Sequence, residues 1–399
     1  MKFGKQHIYD QAMNDITMLG TYAEQVEREA RAEGRSLPPP VRLQIGEPSF
    51  RTPEHIRQAA LQTIANEPLT YGPPAGWPWL RELIAAKIAR VDGYSIDPEN
   101  TAVTLGGTGA LMAALSATVG PGDEVLMPDP CWPIYAMQLT AVGVTAVPYP
   151  LDPQSEWLPD IARLEKLVTP RTRLLMINTP GNPTGAIFPR EIVSALLDFA
   201  RRHDLYLISD ECYDEIIFEG EHVSPATLLT RSELEDGRFI GIYTFSKSYA
   251  MTGWRVGYVV ASKALTKTIT DVLCANHSNI SIIVQRAAAA ALTGPQDCVK
   301  EMRDSYRQRR DLAVRLLKEA GRYVYTPHGA FYALIDVRGK RGEKRGRQFA
   351  LDLLHERNVA VAPGNGFGKV SEEYVRISLG ASDEEIERGV REICQFADR

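Results

Sequence analysis

The chain has 399 residues, more than one ordinary core accommodates, so two domains are expected. Hydrophobic residues at 44% and charged residues at 24% fit a soluble globular protein, and a net charge of -5 without a long basic run argues against nucleic-acid binding. No apolar run approaches the roughly 18 residues a membrane span needs. The start, Met1-Lys2-Phe3-Gly4-Lys5-Gln6-His7, lacks the apolar stretch of a signal peptide, so the cytoplasm is the expected compartment. Cys131, Cys212, Cys274, Cys298 and Cys394 form no Cys-x-x-Cys pair, and neither a metal site nor a disulfide framework is expected.

In chain order, Ile16–Arg35 reads as a helix stopped by Gly34 and Pro38-Pro39-Pro40. Short apolar runs then alternate with helical patterns, which predicts an α/β domain with a mostly parallel sheet covered by helices. The predicted strands are Thr101–Leu105, Glu124–Met127, Leu174–Asn178, Leu205–Ser209, Phe239–Phe245 and Val256–Ala261, several of them apolar on both faces. Helical patterns cover Gly109–Val119, Pro189–Arg202 and Lys263–Leu292. Gly294-Pro295 marks a hinge. Beyond it, helices flank strand-like Gly329–Asp336 and Tyr374–Ser378. Residues 1–45 are therefore expected to pack with a small α+β domain at 296–399, and residues 46–295 to form the large domain. The basic cluster Lys340–Arg347 reads as a solvated loop.

The chemistry sits at strand ends. Lys247 follows the apolar run Phe239–Tyr243 in Ser246-Lys247-Ser248-Tyr249-Ala250-Met251-Thr252-Gly253-Trp254-Arg255. A desolvated lysine amine can lose its proton and form a Schiff base with a carbonyl, and Arg255 suits a phosphate on the same ligand. Taken alone, a strand-end lysine often snorkels to solvent. Together the pair suggests a lysine-linked pyridoxal phosphate, a cofactor that needs an amine, a phosphate cradle, an acid for its pyridine nitrogen, a ring clamp and a handle for the substrate carboxylate.

Each has a candidate. Gly106-Gly107-Thr108-Gly109 opens a helix and presents backbone N–H groups to an anion. It lacks the Gly-x-Gly-x-x-Gly of dinucleotide folds. Asp210 ends the run Leu205–Ser209, placed to pair with a pyridinium or, equally, to cap the next segment. Tyr213 follows within reach of the ring oxygen. Asn182, in Asn178-Thr179-Pro180-Gly181-Asn182-Pro183-Thr184-Gly185, projects from a turn-rich stretch. Trp132 is the candidate ring clamp, and Arg376, alternating with apolar residues in Tyr374–Leu379, is the carboxylate fork.

From Gly46-Glu47-Pro48 to Arg376 the chain resembles the class I/II pyridoxal-phosphate-dependent aminotransferases of fold type I, the aspartate aminotransferase-like branch. The resemblance rests most on the Ser246–Gly257 segment. Asn182-Pro183-Thr184-Gly185 and Ser209-Asp210-Glu211-Cys212-Tyr213 support it in order and spacing. It implies a seven-stranded-type sheet and ping-pong transfer of an amino group from an L-amino acid to a 2-oxo acid. Lys247 would be the Schiff-base lysine and proton shuttle, and Asp210 the pyridine partner. Asn182 and Tyr213 would contact the ring oxygen, and Trp132 would stack on the ring. Gly107, Thr108, Thr244 and Arg255 would hold the phosphate, with Tyr71 reaching the partner subunit's phosphate in a homodimer. Gly46 and Arg376 would bind the α-carboxylate.

Thr244 stands where the family commonly has serine, which keeps the hydroxyl. Asp271–Ile283 offers only His277 where some relatives carry a cation for a second carboxylate, which disfavours a dicarboxylic donor. Specificity is expected from Ile16–Leu19, Trp132, His277 and Phe331-Tyr332. A β-lyase, synthase or oxidase of the same fold is the alternative reading. A regulator without turnover would need a DNA-binding module that is not evident in the sequence.

Overall fold

The computed structural model describes residues 13–339 and 346–398, with side chains from residue 20 onward. Ile16–Leu19 falls in the first helix, Met13–Ala32, but its side chains lie outside the described part, as does most of the basic cluster Lys340–Arg347.

After a short first strand, β1 (Val41–Arg42), the large sheet is laid down as β2 (Thr101–Thr104), β3 (Glu124–Asp129), β4 (Thr145–Asp152), β5 (Leu158–Pro159), β6 (Thr172–Asn178), β7 (Tyr206–Asp210), β8 (Phe239–Thr244) and β9 (Gly257–Ala261). Its order is β2-β9-β8-β7-β6-β3-β4-β5. The pairs β4–β3, β3–β6, β6–β7 and β7–β8 are parallel. β9 runs antiparallel to both neighbours, β8 and β2, and the two-residue β5 antiparallel to β4. Seven strands thus form the body of the sheet, as expected, with β5 an addition at its edge.

The strands are buried because helices cover both faces. Leu174, Met176, Ile208, Ile240 and Val259 pack with helices Gly106–Thr118 and Lys263–His277 on one side. Leu175, Ile177, Leu207 and Tyr243 pack with Leu196 and Phe199 of helix Arg190–Arg202 on the other. An all-apolar run is what a doubly covered parallel strand requires.

Two sequence expectations are corrected. β4 was not anticipated, because Pro148 and Pro150 interrupt its apolar pattern. It is tolerated next to the sheet edge, where fewer ladder donors are needed. The helix expected over Lys263–Leu292 is two helices, Lys263–His277 and Ile282–Thr293. They part at Ser278, whose φ of 63 leaves the helical region.

The second sheet consists of β10 (Tyr332–Asp336), β12 (Ala362–Pro363) and β13 (Tyr374–Ser378), with β13 in the middle and antiparallel to both. β1 pairs in parallel with β11 (Val359–Ala360), Val41 opposite Val359. The chain's start is therefore stitched to its last hundred residues. Ser378 N–H donates to the Leu43 carbonyl at 2.8 Å, which carries Gln44 and Gly46 past β13 and into the cleft between the sheets.

Candidate active site

All the candidate strand ends lie on one edge. β6 ends at Asn178, β7 at Asp210 and β8 at Thr244, while the Gly106–Gly107 turn follows β2. In open α/β sheets the crevice beyond the carboxyl ends of the strands is where ligands bind. Here a cavity of about 450 Å³ opens there, lined by Gly46, Gly107, Thr108, Trp132, Asn182, Asp210, Tyr213, Thr244, Lys247, Arg255 and Arg376. Residues spread over 331 positions of sequence thus converge. Tyr71 is the exception. It is 87% exposed and does not line the cavity of its own chain.

Lys247 comes from the turn after β8, and its Nζ donates to the Gly46 carbonyl at 2.7 Å. That Nζ lies 5.9 Å from the Tyr213 ring centre and 5.5 Å from that of Phe331, so the amine sits among aromatic faces rather than in bulk water. Asp210 is buried at the cavity floor. Its Oδ2 accepts from Tyr135 Oη at 2.5 Å and its Oδ1 from the Cys212 N–H at 3.2 Å. Burial pushes the carboxyl above the usual carboxylate range despite these donors, because none of them brings positive charge.

Asn178 fixes the neighbouring loop. Its Nδ2 donates to the Asp210 carbonyl at 2.9 Å and its Oδ1 accepts from the Asn182 N–H at 2.8 Å. Asn182 Oδ1 in turn accepts from Arg376 Nη1 at 3.0 Å, and Arg376 Nη2 donates to the Gln44 carbonyl at 2.5 Å. The Arg376 guanidinium carbon lies 4.4 Å from the Tyr332 ring centre and 4.8 Å from that of Phe367. Burial lowers its pKa, and its Nε has no hydrogen-bond partner. A buried, under-satisfied guanidinium facing a cavity is a site for an anion.

A second anion site faces it. Helix Gly106–Thr118 points its N-terminus at the cavity, beside Arg255 and the Thr244 hydroxyl. Glycine suits its start: Gly106 holds a left-handed φ of 67, and a Cβ on Gly107 would lie 2.9 Å from Cys212 Sγ. Arg255 holds a left-handed φ of 57 and donates from Nη1 to the Thr252 carbonyl at 2.7 Å. A non-glycine residue in that region is strained, and such strain clusters at functional sites.

Below this cavity the loop from Asp210 to Asp214 turns its other side chains inward. Lys87, 4% exposed, sits between Asp214 and Asp92, 2.9 Å from Asp92 Oδ2. Glu211 is wholly buried and accepts from Tyr243 Oη at 2.9 Å and Ser224 Oγ at 2.9 Å, with His222 Nε2 at 2.8 Å. Ligand atoms of Asp92, Glu211 and His222 lie within 4.8 Å of one another, but the Lys87 ammonium already pairs with Asp92. Burial alone would lower the Lys87 pKa, yet Asp214 and Asp92 raise it well above the ordinary value.

Sequence reasoning passed over Tyr135 and gave Tyr332 no role beyond specificity, and both line the cavity. Tyr135 stands three residues after Trp132, and that spacing was its only signal. Tyr332 lay within a segment flagged for specificity, but no local pattern ties it to Tyr213. His277 and Cys131 do not line the cavity, and Cys131 is buried in the core beside it.

Such a cavity, with a lysine amine, a buried acid and two anion sites at strand ends, defines a fold type I pyridoxal phosphate site. Comparison with known proteins agrees. The family "Aminotransferase class I and II" matches residues 38–393, and the chain belongs to it. The aspartate/prephenate aminotransferase of Thermus thermophilus is 36% identical over 392 residues, 98% of each chain. An arginine–pyruvate transaminase of Pseudomonas aeruginosa is 35% identical over 357 residues, covering 89% of each. The structure of Thermus thermophilus aspartate aminotransferase with maleate superposes with a TM-score of 0.87 at 34% identity, covering 99% of this chain and 100% of that one. The protein is a pyridoxal-phosphate-dependent aminotransferase acting on amino acids and 2-oxo acids.

The residues present fit the cofactor. The raised Asp210 carboxyl lacks a cation that a protonated pyridine would provide. The glycine-lined helix start with Arg255 and Thr244 suits a phosphate.

Proposed function

We propose that Lys247 is the Schiff-base lysine and the proton shuttle of a ping-pong transamination, that Asp210 pairs with the pyridine nitrogen, and that Arg376 with Gly46 binds the substrate α-carboxylate. The convergence of Lys247, Asp210 and Arg376 on one cavity carries this reading. Gly107, Thr108, Thr244 and Arg255 hold the phosphate, Trp132 stacks on the ring, and Asn182 and Tyr213 contact the ring oxygen.

When bound, pyridoxal phosphate supplies the carbonyl carbon that takes up the amino group and the electron-poor ring that draws off charge. Lys247 Nζ would hold that carbon until a substrate amine takes its place. The free Nζ would serve as the base for the substrate Cα proton and as the acid that returns it on the cofactor side. Asp210, buried and charged once it faces a pyridinium, keeps the ring nitrogen protonated. The Arg376 fork fixes the carboxylate, and with it the Cα–H bond above Lys247. As one 2-oxo acid leaves and a second takes up the amino group, Lys247 would move the proton and Arg376 would hold the carboxylate in both halves.

Among the described residues lining the cavity, the cations are Lys247, Arg255 and Arg376, and each is assigned. Among the described lining residues no further cation faces a second donor carboxylate, so the reading favours donors without one.

We also infer a homodimer. Tyr71 at 87% exposure stands with Leu61, Ile64 and Leu69, each more than half exposed, on helix Glu54–Asn66 and the loop after it. A second copy covering this patch brings Tyr71 to the partner's phosphate site. The divisions near residues 46 and 296 and a cytoplasmic location belong to the same reading. β1 packing with β11 supports the first. For the second, among the described residues no helix is long and apolar enough to cross a membrane.

The test is an absorbance spectrum of the purified holoprotein before and after single amino acids, without any 2-oxo acid. A visible band that shifts to shorter wavelength with stoichiometric 2-oxo acid supports the reading and identifies the donor. A band that persists while ammonia or another fragment accumulates overturns transamination, and no band with added pyridoxal phosphate overturns Lys247.

A further inference from the structure

Tyr332 belongs to none of the assigned roles, yet it touches three of the residues that carry them. Its side chain is 1% exposed. Its hydroxyl lies 2.9 Å from Tyr213 Oη, and its ring face lies 4.4 Å from the Arg376 guanidinium carbon. It also closes against Gly46, where a Cβ would fall 2.1 Å from the Tyr332 oxygen. Gly46 is the residue whose carbonyl holds Lys247 Nζ. β10 carries Tyr332 directly beside β13, Leu334 opposite Arg376, so sheet pairing fixes the stacking of ring and guanidinium.

We propose that Tyr332 is a positioning residue that works on both halves of the site: its hydroxyl donates to Tyr213 and its ring shelves Arg376. The proposal rests on the assignment of Tyr213 to the ring oxygen and Arg376 to the substrate carboxylate. The direction of the hydrogen bond follows from satisfaction. A Tyr213 hydroxyl that gives its one proton to the ring oxygen can only accept from Tyr332. Burial and the nearby Tyr332 hold the Tyr213 phenol well above its ordinary pKa, so that proton is present to be given. A donor behind a donor polarises it, and Tyr213 then grips the ring oxygen harder than it would alone. Charge drawn from that oxygen weakens its hold on the proton of the adjacent lysine-derived nitrogen. The pH midpoint of the visible band therefore reports the Tyr332 hydroxyl, while substrate KM reports its ring.

Three holoenzyme variants separate the two roles. Tyr332→Phe removes only the hydroxyl. It is expected to raise the pH midpoint of the visible band by roughly 0.3 to 1 pH unit, the transmitted part of one hydrogen bond, with donor KM within about twofold of the parent. Tyr332→Leu removes the ring as well and is expected to raise donor KM by about tenfold, the scale of a desolvated cation–π contact. In the Tyr213→Phe background, Tyr332→Phe is expected to leave the midpoint where Tyr213→Phe alone puts it, because the hydroxyl acts through Tyr213. An unchanged midpoint in the single variant, or an equal shift in both backgrounds, overturns the hydroxyl's role. Equal KM values for the Phe and Leu variants overturn the shelf. Should no parent band form, the cofactor assignment itself fails, which is a distinct result.

Discussion

Arg376→Lys tests the substrate handle most directly. The arginine is 3% exposed, with Nη1 committed to Asn182 and Nη2 to the Gln44 carbonyl, and the Tyr332 and Phe367 ring centres 4.4 and 4.8 Å from its guanidinium carbon. Lysine keeps the charge but not the planar fork, so a carboxylate held by two parallel N–H donors keeps one. Losing one charge-assisted hydrogen bond costs about 1.5–3 kcal/mol, a fall of roughly 10- to 150-fold in kcat/KM at about 1.4 kcal/mol per decade. The Gln44 carbonyl, buried and stripped of its partner, adds a stability cost of about 1–3 kcal/mol that denaturant unfolding would register. The assay is kcat/KM for the best donor together with the visible spectrum. The spectrum is recorded because Arg376 also holds Asn182, which is assigned to the ring oxygen, so the loss of the carboxylate handle is read from kcat/KM. A kcat/KM within threefold of the parent would refute the assignment.

Asp210→Asn removes the charge that the buried Asp210 offers a pyridinium and should lower kcat by at least about 100-fold, as loss of a preorganised electrostatic partner does. Single-turnover measurements that retain the parental rate would sink that role. Lys87→Met leaves Asp214 and Asp92 buried without their ammonium and should cost about 3–5 kcal/mol in denaturant unfolding, where a loss under about 1 kcal/mol would show the network to be dispensable. Burial, outweighing the pull of Lys87, lifts Asp92 from 3.8 to about 7. The native state therefore holds a proton that the unfolded chain releases. Its stabilising effect is full below pH 3.8 and disappears as pH rises through about 7, so unfolding midpoints should fall across that window and do so less steeply in Asp92→Asn. Leu69→Glu places a charge in the exposed apolar patch and should shift the sedimentation coefficient from dimer to monomer. A parent protein already monomeric would refute the dimer.

The sequence by itself determined the strand-rich α/β core, the strand ends and the segment around Lys247. These are local signals: an apolar run long enough for a doubly covered strand, then residues whose chemistry is out of place on a surface. Asp210 and Lys247 were legible because each closely follows such a run, whereas Thr244, inside the predicted strand Phe239–Phe245, came only from the family resemblance. Arg376 showed through alternation, since one face of a half-buried strand repeats every second residue. The prolines of β4 and the break at Ser278 were missed because tertiary cover and one backbone dihedral outweighed local pattern. Tertiary structure alone decided which side chains meet. The 2.5 Å contact of Tyr135 with Asp210 spans 75 residues, and that of Tyr213 with Tyr332 spans 119. The buried pairing of Lys87 with Asp214 likewise spans 127. No periodicity encodes such contacts. They follow from the order in which strands join a sheet and from how the chain's two ends pair, and those are settled only when the whole core is buried.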